Sequence, residues 1–383
     1  MAPSAPAAAR FHQEGLTGLR ALAAFWVMAF HFNAIVGPRR ITVELGSLHF
    51  DVHPLVTIGW VGVDLFFVLS GFLLATHVLE RLERGPFDLR GYLEARCRRV
   101  FPAYWAQLLL LLAAAFVVGG TWPAWSRYLW LHVPMLHNIS PDASFAINAV
   151  YWTLPIEFGF YLCLPWVGLR LAEAQALPPI AQAGRLALIA LGAIVLTWTY
   201  RYFAFEAYRS APVHSLIWAA SQLPGSFDQF TLGAVAAAGL RAWRKAAPRA
   251  GARASTPLVL GGLAGVVALM YYLDAIHREF WSGHPALFMW HTFTAACIAA
   301  LVVGIALGGG FARAVFGNRV VVFLGTVSYS TYLWHYQVAN WVHASFPGAR
   351  SDLGVFALYA VPCVIVVSAA SYFCIERPFL RAR

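Results

Sequence analysis

Long apolar stretches recur along the whole chain, and short polar segments separate them. This pattern predicts ten hydrophobic helices, because a helix needs about 20 apolar residues to cross the hydrocarbon core of a bilayer. No polar interval is long enough to fold as a separate domain. We therefore expect an all-α, polytopic membrane helical bundle that occupies residues 1–383 as one domain. The predicted helices cover approximately residues 16–36, 58–79, 100–118, 150–169, 184–205, 215–240, 257–275, 287–308, 320–343 and 354–375.

The basic residues predict the orientation of these helices. With the N-terminus in the cytoplasm, nineteen of the 27 Lys and Arg residues fall on the cytoplasmic side and six on the other side. This asymmetry is typical of inserted helical proteins, and it places both termini in the cytoplasm. The segment before the first span has no cleavage motif, so we expect that span to be retained. We expect no appended soluble domain after Arg383.

Composition supports a membrane protein and excludes an ordinary soluble globule. Charged residues make up 11% of the chain and hydrophobic residues 60%, whereas soluble domains carry about 25% charge. The expected partner is the lipid bilayer, and nothing indicates a nucleic acid. Five cysteines without paired spacing predict no disulfide framework. His49 and His53 are four residues apart but lack further ligands nearby, so we favour a solvated loop over a zinc site and expect no metal.

The first predicted helix carries two polar residues that hydrocarbon disfavours, Arg20 and His31. Eleven helical residues turn through roughly 1100°, within about 20° of three full turns, and rise about 16 Å. The two side chains are therefore expected on one face, with Arg20 near the cytoplasmic boundary and His31 roughly 9 Å below the outer one.

Three further titratable residues lie at a similar predicted depth in other helices: Asp64, Glu157 and His335. Each is on the order of 9–12 Å beneath the outer surface by the same count. Each would cost about 2.5–3.5 kcal/mol if it were left alone at the bilayer centre, so we expect them to face the interior. A structural alternative is that Asp64 and His335 merely bond neighbouring helices. We favour a polar functional cavity, because a bundle that is only structural can be held together by Ser, Thr and Gly and needs no carboxylates or imidazoles.

Other polar residues are weaker candidates. Ser328 lies seven residues before His335, about 10 Å along the axis, which is too far for direct activation. Tyr332 lies three residues before His335 and can orient it. Three histidines recur every seven residues, His277, His284 and His291. Gly283 and Pro285 would break a single helix that carried all three, so we assign this spacing no role. Topology alone explains the arginines at 96, 98 and 99, although they would also suit a phosphate-rich ligand.

Several of these motifs resemble those of the acyltransferase-3 family of integral-membrane acyltransferases. Its Arg-x10-His pattern is matched by Arg20 and His31, and seven motifs occur in order between residues 16 and 379. The remaining six are "GWVGVDLFFVLSGFLL", "RCRRVFPAYW", "YWTLPIEFGFYL", "LPGSFDQFTLG", "LGTVSYSTYLWHYQV" and "IERPF". The chain departs from the family where relatives commonly carry an acid, a glutamine and a proline: it has Phe158, Gly159 and Gln337 there. These departures leave the acceptor class open.

The resemblance implies an acyl-CoA-dependent O-acyltransferase in a bacterial inner membrane. The acyl group, usually acetyl, would pass from cytoplasmic acetyl-CoA, a co-substrate rather than a bound cofactor, to a hydroxyl of a sugar, a cell-surface polysaccharide precursor or a glycosylated small molecule. Some relatives carry an extracytoplasmic hydrolase-like domain, so a second transfer step here would need a separate partner.

The resemblance and the spacing together suggest roles for the candidate residues. Arg20, Arg96, Arg98 and Arg99 would bind the coenzyme A phosphates. His31 would act as general base, or alternatively carry the acyl group. Glu157, or else Asp64, would orient His31, while Tyr332 and Ser328 are candidate donors to the oxyanion.

Two other classes of protein compete with this interpretation. A transporter of a sugar or an acylated intermediate would also place polar groups at mid-depth, but it usually shows repeated halves, which this sequence lacks. A receptor or scaffold would need no titratable cluster.

Overall fold

The computed structural model describes residues 7–37, 40–246 and 251–381, and these residues form a helical bundle. Arg39, Arg249 and Arg383, which contribute to the predicted orientation, lie outside the described residues. The elements are α1 (Ala7–Val36), β1 (Thr42–Leu45), β2 (Leu48–Asp51), α2 (His53–Thr57), α3 (Val61–Arg84), α4 (Leu89–Gly119), α5 (Leu129–His132), α6 (Pro141–Phe145), α7 (Thr153–Gln175), α8 (Pro179–Tyr208), α9 (Val213–Ala220), α10 (Leu223–Ala246), α11 (Gly251–Ala275), α12 (His277–Phe280), α13 (Ala286–Leu307), α14 (Gly310–Phe316), α15 (Arg319–Thr326), α16 (Ser328–Ser345), α17 (Leu353–Ser371) and α18 (Arg377–Arg381).

The polytopic helical architecture is confirmed. Eight helices of the described chain are long and apolar enough to cross a membrane: α1, α3, α4, α7, α8, α11, α13 and the continuous run that begins with α17. The predicted sixth span divides into α9 and α10, and the predicted ninth divides into α15 and α16 at Val327. The count of ten spans and the cytoplasmic placement of the termini stay predictions.

The predicted third span begins earlier than the sequence pattern indicates. The predicted span begins at residue 100, but α4 runs without interruption from Leu89 to Gly119. Its start is fixed by Asp88, whose carboxylate accepts a hydrogen bond of 2.9 Å from the backbone N–H of Gly91. The basic residues from Arg90 to Arg99 therefore lie in the first turns of α4. The hydropathy pattern does not include them in the helix because they are charged.

The centre of the bundle depends on a close contact between α3 and α10. A Cβ atom added to Gly71 would lie 2.0 Å from the carbonyl oxygen of Phe230, and one added to Gly233 would lie 2.0 Å from that of Val68. Only glycine permits this approach, which is typical of helix packing in membranes. The contact buries α10 at the centre, although its polar residues keep it below the hydropathy of a lone membrane span.

A small hairpin, β1–β2, departs from the otherwise helical structure. The strands are antiparallel, with Thr42 opposite Asp51, and the backbone carbonyl of Asp51 accepts a 2.5 Å hydrogen bond from the hydroxyl of Tyr271 on α11. His49 is exposed on this hairpin, and its Nδ1 lies 3.4 Å from the Glu44 carboxylate. The described residues contain no group of three His, Cys, Asp or Glu side chains placed to hold a metal ion.

Short helices between α4 and α7 form a buried cap around two histidines. The rings of His132 and His137 stack at 4.2 Å between centroids, and the hydroxyl of Tyr104 donates to the carbonyl of His132 at 2.8 Å. Burial lowers the pKa of His132 to about 4 and that of His137 to about 3, because an imidazolium cannot be solvated there. Both imidazoles are therefore neutral at neutral pH.

Candidate functional site

Arg20 and His31 both contact α16, as the one-face prediction for α1 requires. The Arg20 Nε atom donates to the Ser328 hydroxyl at 3.3 Å, near the start of α16. Eleven residues later, His31 Nδ1 lies 3.0 Å from Nε2 of His335, two turns further along α16. The two polar residues of α1 are thus held by one neighbouring helix.

The two histidines of this pair are oriented by their own helices. His335 Nδ1 lies 3.0 Å from the carbonyl oxygen of Thr331, and His31 Nδ1 lies 3.0 Å from that of Val27. Because a carbonyl only accepts, we assign the proton of each neutral ring to Nδ1. His335 Nε2 then accepts, and His31 Nε2 keeps its lone pair, with no hydrogen bond to that atom among the described residues.

His31 lines a cavity, called here the His31 cavity. Its wall combines seven Phe, Trp and Tyr residues with seven polar or charged residues. It is lined by Val27, Phe30, His31, Trp60, Val63, Asp64, Phe67, Trp152, Arg201, Ile217, Ala220, Ser221, Gly225, Ser226, Gln229, Phe280, Trp281, Leu287, His291 and Tyr332. An apolar cavity with a few convergent polar side chains is typical of a ligand site.

Asp64 is in this wall but is not bonded to His31. Its Oδ1 accepts a 2.6 Å hydrogen bond from Nδ1 of His291 on α13, and the carboxylate is 2% exposed. The structure therefore pairs Asp64 with a histidine to which we assigned no role. The depth count applies equally to His291, which lies five residues inside α13, because Pro285 begins that helix rather than breaking it.

Arg20 and Glu157 line a second cavity, called here the Arg20 cavity. Glu157 accepts a 2.6 Å hydrogen bond from the hydroxyl of Ser70 on α3. Arg20 also interacts electrostatically with Glu157. The structure thus places Glu157 with Arg20, whereas we predicted it beside His31. Counting residues along α7 gives the depth of Glu157 but not the direction it faces.

Tyr332 lies between the two cavities and lines both. Its hydroxyl lies 2.8 Å from the Thr153 hydroxyl and 3.0 Å from the carbonyl oxygen of Val150. A tyrosine has one hydroxyl proton, and these contacts occupy it, so the predicted oxyanion role would require its release. Ser328 is fully buried against Arg20 and lines neither cavity, so its position gives no support to an oxyanion role.

The predicted donor-binding arginines differ in their surroundings. Arg99 forms an ion pair of 3.6 Å with Glu376, a carboxylate from the "IERPF" motif that is 2% exposed and also bonds Ser330. Arg98 is exposed and lies 3.8 Å from Glu94. Arg96 is half-buried, and its Nε atom has no hydrogen-bond partner in the described residues. Glu376 is a site residue that we did not predict; its motif was noted, but its charge was not used.

Arg201 and Asp228 form a buried ion pair in the wall of the His31 cavity, at 3.3 Å. Arg201 also donates to the carbonyls of Gly225 and Phe288, at 2.8 and 2.7 Å. Because these bonds satisfy both charges, we assign the pair a structural role, which is to hold α8, α10 and α13 together.

Comparison with known proteins identifies a family across almost the whole chain. A family model described as an acyltransferase domain, that of the acyltransferase-3 family, matches residues 13–374. No solved structure matches the chain significantly.

Three curated relatives are similar to the chain along nearly all of its length. A protein of Staphylococcus aureus (strain MSSA476), named provisionally as an O-acetyltransferase, is 24% identical over 96% of this chain and 57% of its own length. The peptidoglycan O-acetyltransferase OatA of Listeria monocytogenes is 22% identical, over 96% of this chain and 56% of its own length. The acyltransferase MdmB of Streptomyces mycarofaciens is 26% identical, over 96% and 91% respectively. The chain thus spans a little more than half the length of the first two.

Proposed function

The chain belongs to the acyltransferase-3 family, and from this premise we propose that it is a membrane O-acyltransferase. The donor would be an acyl-coenzyme A, in the simplest case acetyl-CoA. The acceptor would be a hydroxyl of a sugar, a cell-surface polysaccharide precursor or a glycosylated small molecule. The observation that carries the proposal is the pair of cavities that meet at Tyr332, one containing Arg20 and the other containing His31.

The donor would enter from the side of Arg20. Coenzyme A carries several phosphate charges, and guanidinium groups bind phosphate through charge-assisted, bidentate hydrogen bonds. Arg20 and the half-buried Arg96 are the side chains best placed for this, since Arg99 is already paired with Glu376. The flexible pantetheine arm would then carry the thioester past Tyr332 towards His31.

The chemistry would centre on His31 Nε2, whose lone pair is unengaged. In a direct transfer, Nε2 takes the proton of the acceptor hydroxyl as its oxygen attacks the thioester carbonyl carbon. The new C–O bond forms, the C–S bond breaks, and the imidazolium returns its proton to the departing thiolate. The Val27 carbonyl holds the Nδ1 proton of His31, and His335 Nε2, a second acceptor beside that proton, would stabilise the imidazolium that forms, as a carboxylate does in hydrolytic triads. In the alternative route, Nε2 itself attacks the carbonyl carbon, so that a C–N bond forms, the C–S bond breaks and coenzyme A leaves as the thiolate. The acceptor oxygen then attacks the acyl carbon, the C–N bond breaks, and the hydroxyl proton passes to the thiolate.

The proposed location is the bacterial inner membrane, where acyl-CoA is available on one side and glycan precursors on the other. If the acceptor lies beyond reach of the His31 cavity, a separate extracytoplasmic protein would complete the transfer.

The experiment compares His31→Ala with His49→Ala in purified protein reconstituted into nanodiscs. The assay supplies acetyl-CoA with peptidoglycan fragments or simple glycosides and measures thiol release and acetylated product. We expect His31→Ala to lower turnover by at least about 10³-fold, because the substitution removes the general base of the direct route and the acyl carrier of the alternative route. The exposed His49→Ala should leave turnover unchanged. Undiminished turnover in His31→Ala would remove His31 from the mechanism.

A sugar transporter is the second candidate, and the same purified protein reconstituted into sealed vesicles tests it. A transporter in sealed vesicles would move a labelled glycoside across the membrane without acetyl-CoA, and it would release no thiol.

A further inference from the structure

A second histidine, His291, faces the His31 cavity, and the mechanism above does not use it. Its side chain is 26% exposed, whereas that of its partner Asp64 is 2% exposed. The histidine is therefore the more accessible member of the pair. Both residues line the same cavity as His31.

Asp64 depends on His291 for its hydrogen bonding. Within the part of the chain that the structure describes, Asp64 Oδ1 bonds His291 Nδ1 at 2.6 Å, and Oδ2 is buried without a partner. A buried carboxylate with a single donor holds that donor strongly, because losing it would leave the charge unpaired. The pairing therefore fixes the proton of His291 on Nδ1.

This arrangement leaves His291 Nε2 as a hydrogen-bond acceptor. In the neutral form of the ring, the one N–H donates to Asp64, so Nε2 carries a lone pair. The ring of Trp60 lies beside it, with centroids 5.2 Å apart and planes inclined at 48°, and Trp60 also lines the cavity. An acceptor atom next to an aromatic face suits a ligand that has both a hydroxyl group and an apolar ring face.

We propose that His291, oriented by Asp64 and flanked by Trp60, is the acceptor subsite of the His31 cavity. A hydroxyl-bearing ring, such as a pyranoside, would lie against Trp60 and donate a hydrogen bond to His291 Nε2. This places the ring in the cavity where His31 would act on another of its hydroxyls. The inference rests on the proposed function, and it assigns to His291 the positioning of the acceptor rather than proton transfer.

The sharpest test is His291→Asn. The side-chain amide nitrogen of asparagine can take the place of Nδ1 and keep a donor for Asp64, but it leaves nothing at the position of Nε2. We expect the acceptor KM to rise about tenfold because one hydrogen bond to the acceptor is lost, while the donor KM and kcat stay unchanged. If His291 only satisfies Asp64, the variant will behave as the wild type does, and the proposal is overturned. His214→Asn, on the exposed start of α9, is the matched control.

A binding measurement separates this proposal from the proposed function. Tritiated octyl β-glucoside is bound to the protein in nanodiscs, with empty nanodiscs as background. Saturable binding that is weakened about tenfold by His291→Asn supports the subsite even if no acyl transfer is found. Transfer that proceeds with an unchanged acceptor KM in the variant refutes the subsite and leaves the proposed function standing. Absence of saturable binding in a wild-type protein that transfers acyl groups to glycosides also refutes it.

Discussion

The two cavities differ in the way their charges are partnered. In the Arg20 cavity, arginine and carboxylate side chains lie together, with Glu157 bonded to Ser70 and Arg20 bonded to Ser328. In the His31 cavity, imidazoles take that place, each with one nitrogen bonded and the other nitrogen left without a described hydrogen bond. The first arrangement suits binding of a fixed negative charge, and the second suits proton exchange with a neutral hydroxyl. The contrast predicts that variants in the two cavities will affect different kinetic constants.

The largest change in a Michaelis constant is expected at Arg20. Arg20→Ala should raise the KM for acetyl-CoA by about 30- to 100-fold, because a hydrogen bond between charged groups is lost. Acceptor KM should stay unchanged, and Arg20→Lys should recover part of the loss because it restores the charge without the planar fork. Steady-state kinetics with varied donor measure this. Unchanged donor dependence would make Arg20 a boundary anchor only.

His335→Phe should lower kcat by about tenfold or more without changing either KM. The phenyl ring fills similar space, but His31 loses the acceptor that supports its Nδ1 proton. His343→Phe, near the end of the same helix, serves as the control. A change confined to KM would show that His335 shapes a binding wall instead.

A double-mutant cycle asks to which cavity Glu157 belongs. Because Glu157 lines the Arg20 cavity, we expect Arg20→Ala and Glu157→Gln to couple by about 1 kcal/mol in donor binding, whereas His31→Ala and Glu157→Gln should be additive within about 0.5 kcal/mol. If the effects of Glu157→Gln and His31→Ala were coupled instead, Glu157 would act beside His31, as the sequence analysis predicted.

The smallest effect concerns the cap above the cavities. The folded-state pKa values of His132 and His137, about 4 and 3, lie below that of an unfolded histidine. The unfolded chain therefore binds more protons, and stability should be fully present above about pH 6.5 and fall as the pH drops towards about 3. Thermal unfolding in nanodiscs should show this slope, and a His132→Gln, His137→Gln double variant should flatten it. An equally steep slope in the variant would place the titrating groups elsewhere.

The sequence predicts most of what depends on position along one helix. The helical class, the recurrence of the apolar helices and the contact of Arg20 and His31 with one neighbour all follow from periodicity. The partners of Glu157 and Asp64 do not follow, because the rotation of α7 and α3 about their axes is set by packing between helices. The glycines at 71 and 233 contribute to that packing, and their effect appears only when both helices are present.

His291 and Glu376 show two other limits. His291 belongs to a spacing that loops interrupt, and only the start of α13 after Pro285 gives it a depth. Glu376 lies one residue beyond the last predicted span, and it is buried against Arg99 because the helical run that begins with α17 continues beside α4.

The histidine pair has a consequence for how readily such a centre could arise. Each ring takes its proton assignment from a carbonyl four residues earlier in its own helix, Val27 for His31 and Thr331 for His335. Each helix therefore fixes the tautomer of its own histidine before the two helices pack together. Assembly has only to bring the two rings within hydrogen-bonding distance. Small slips between the helices would lengthen one contact while leaving both rings in their working form.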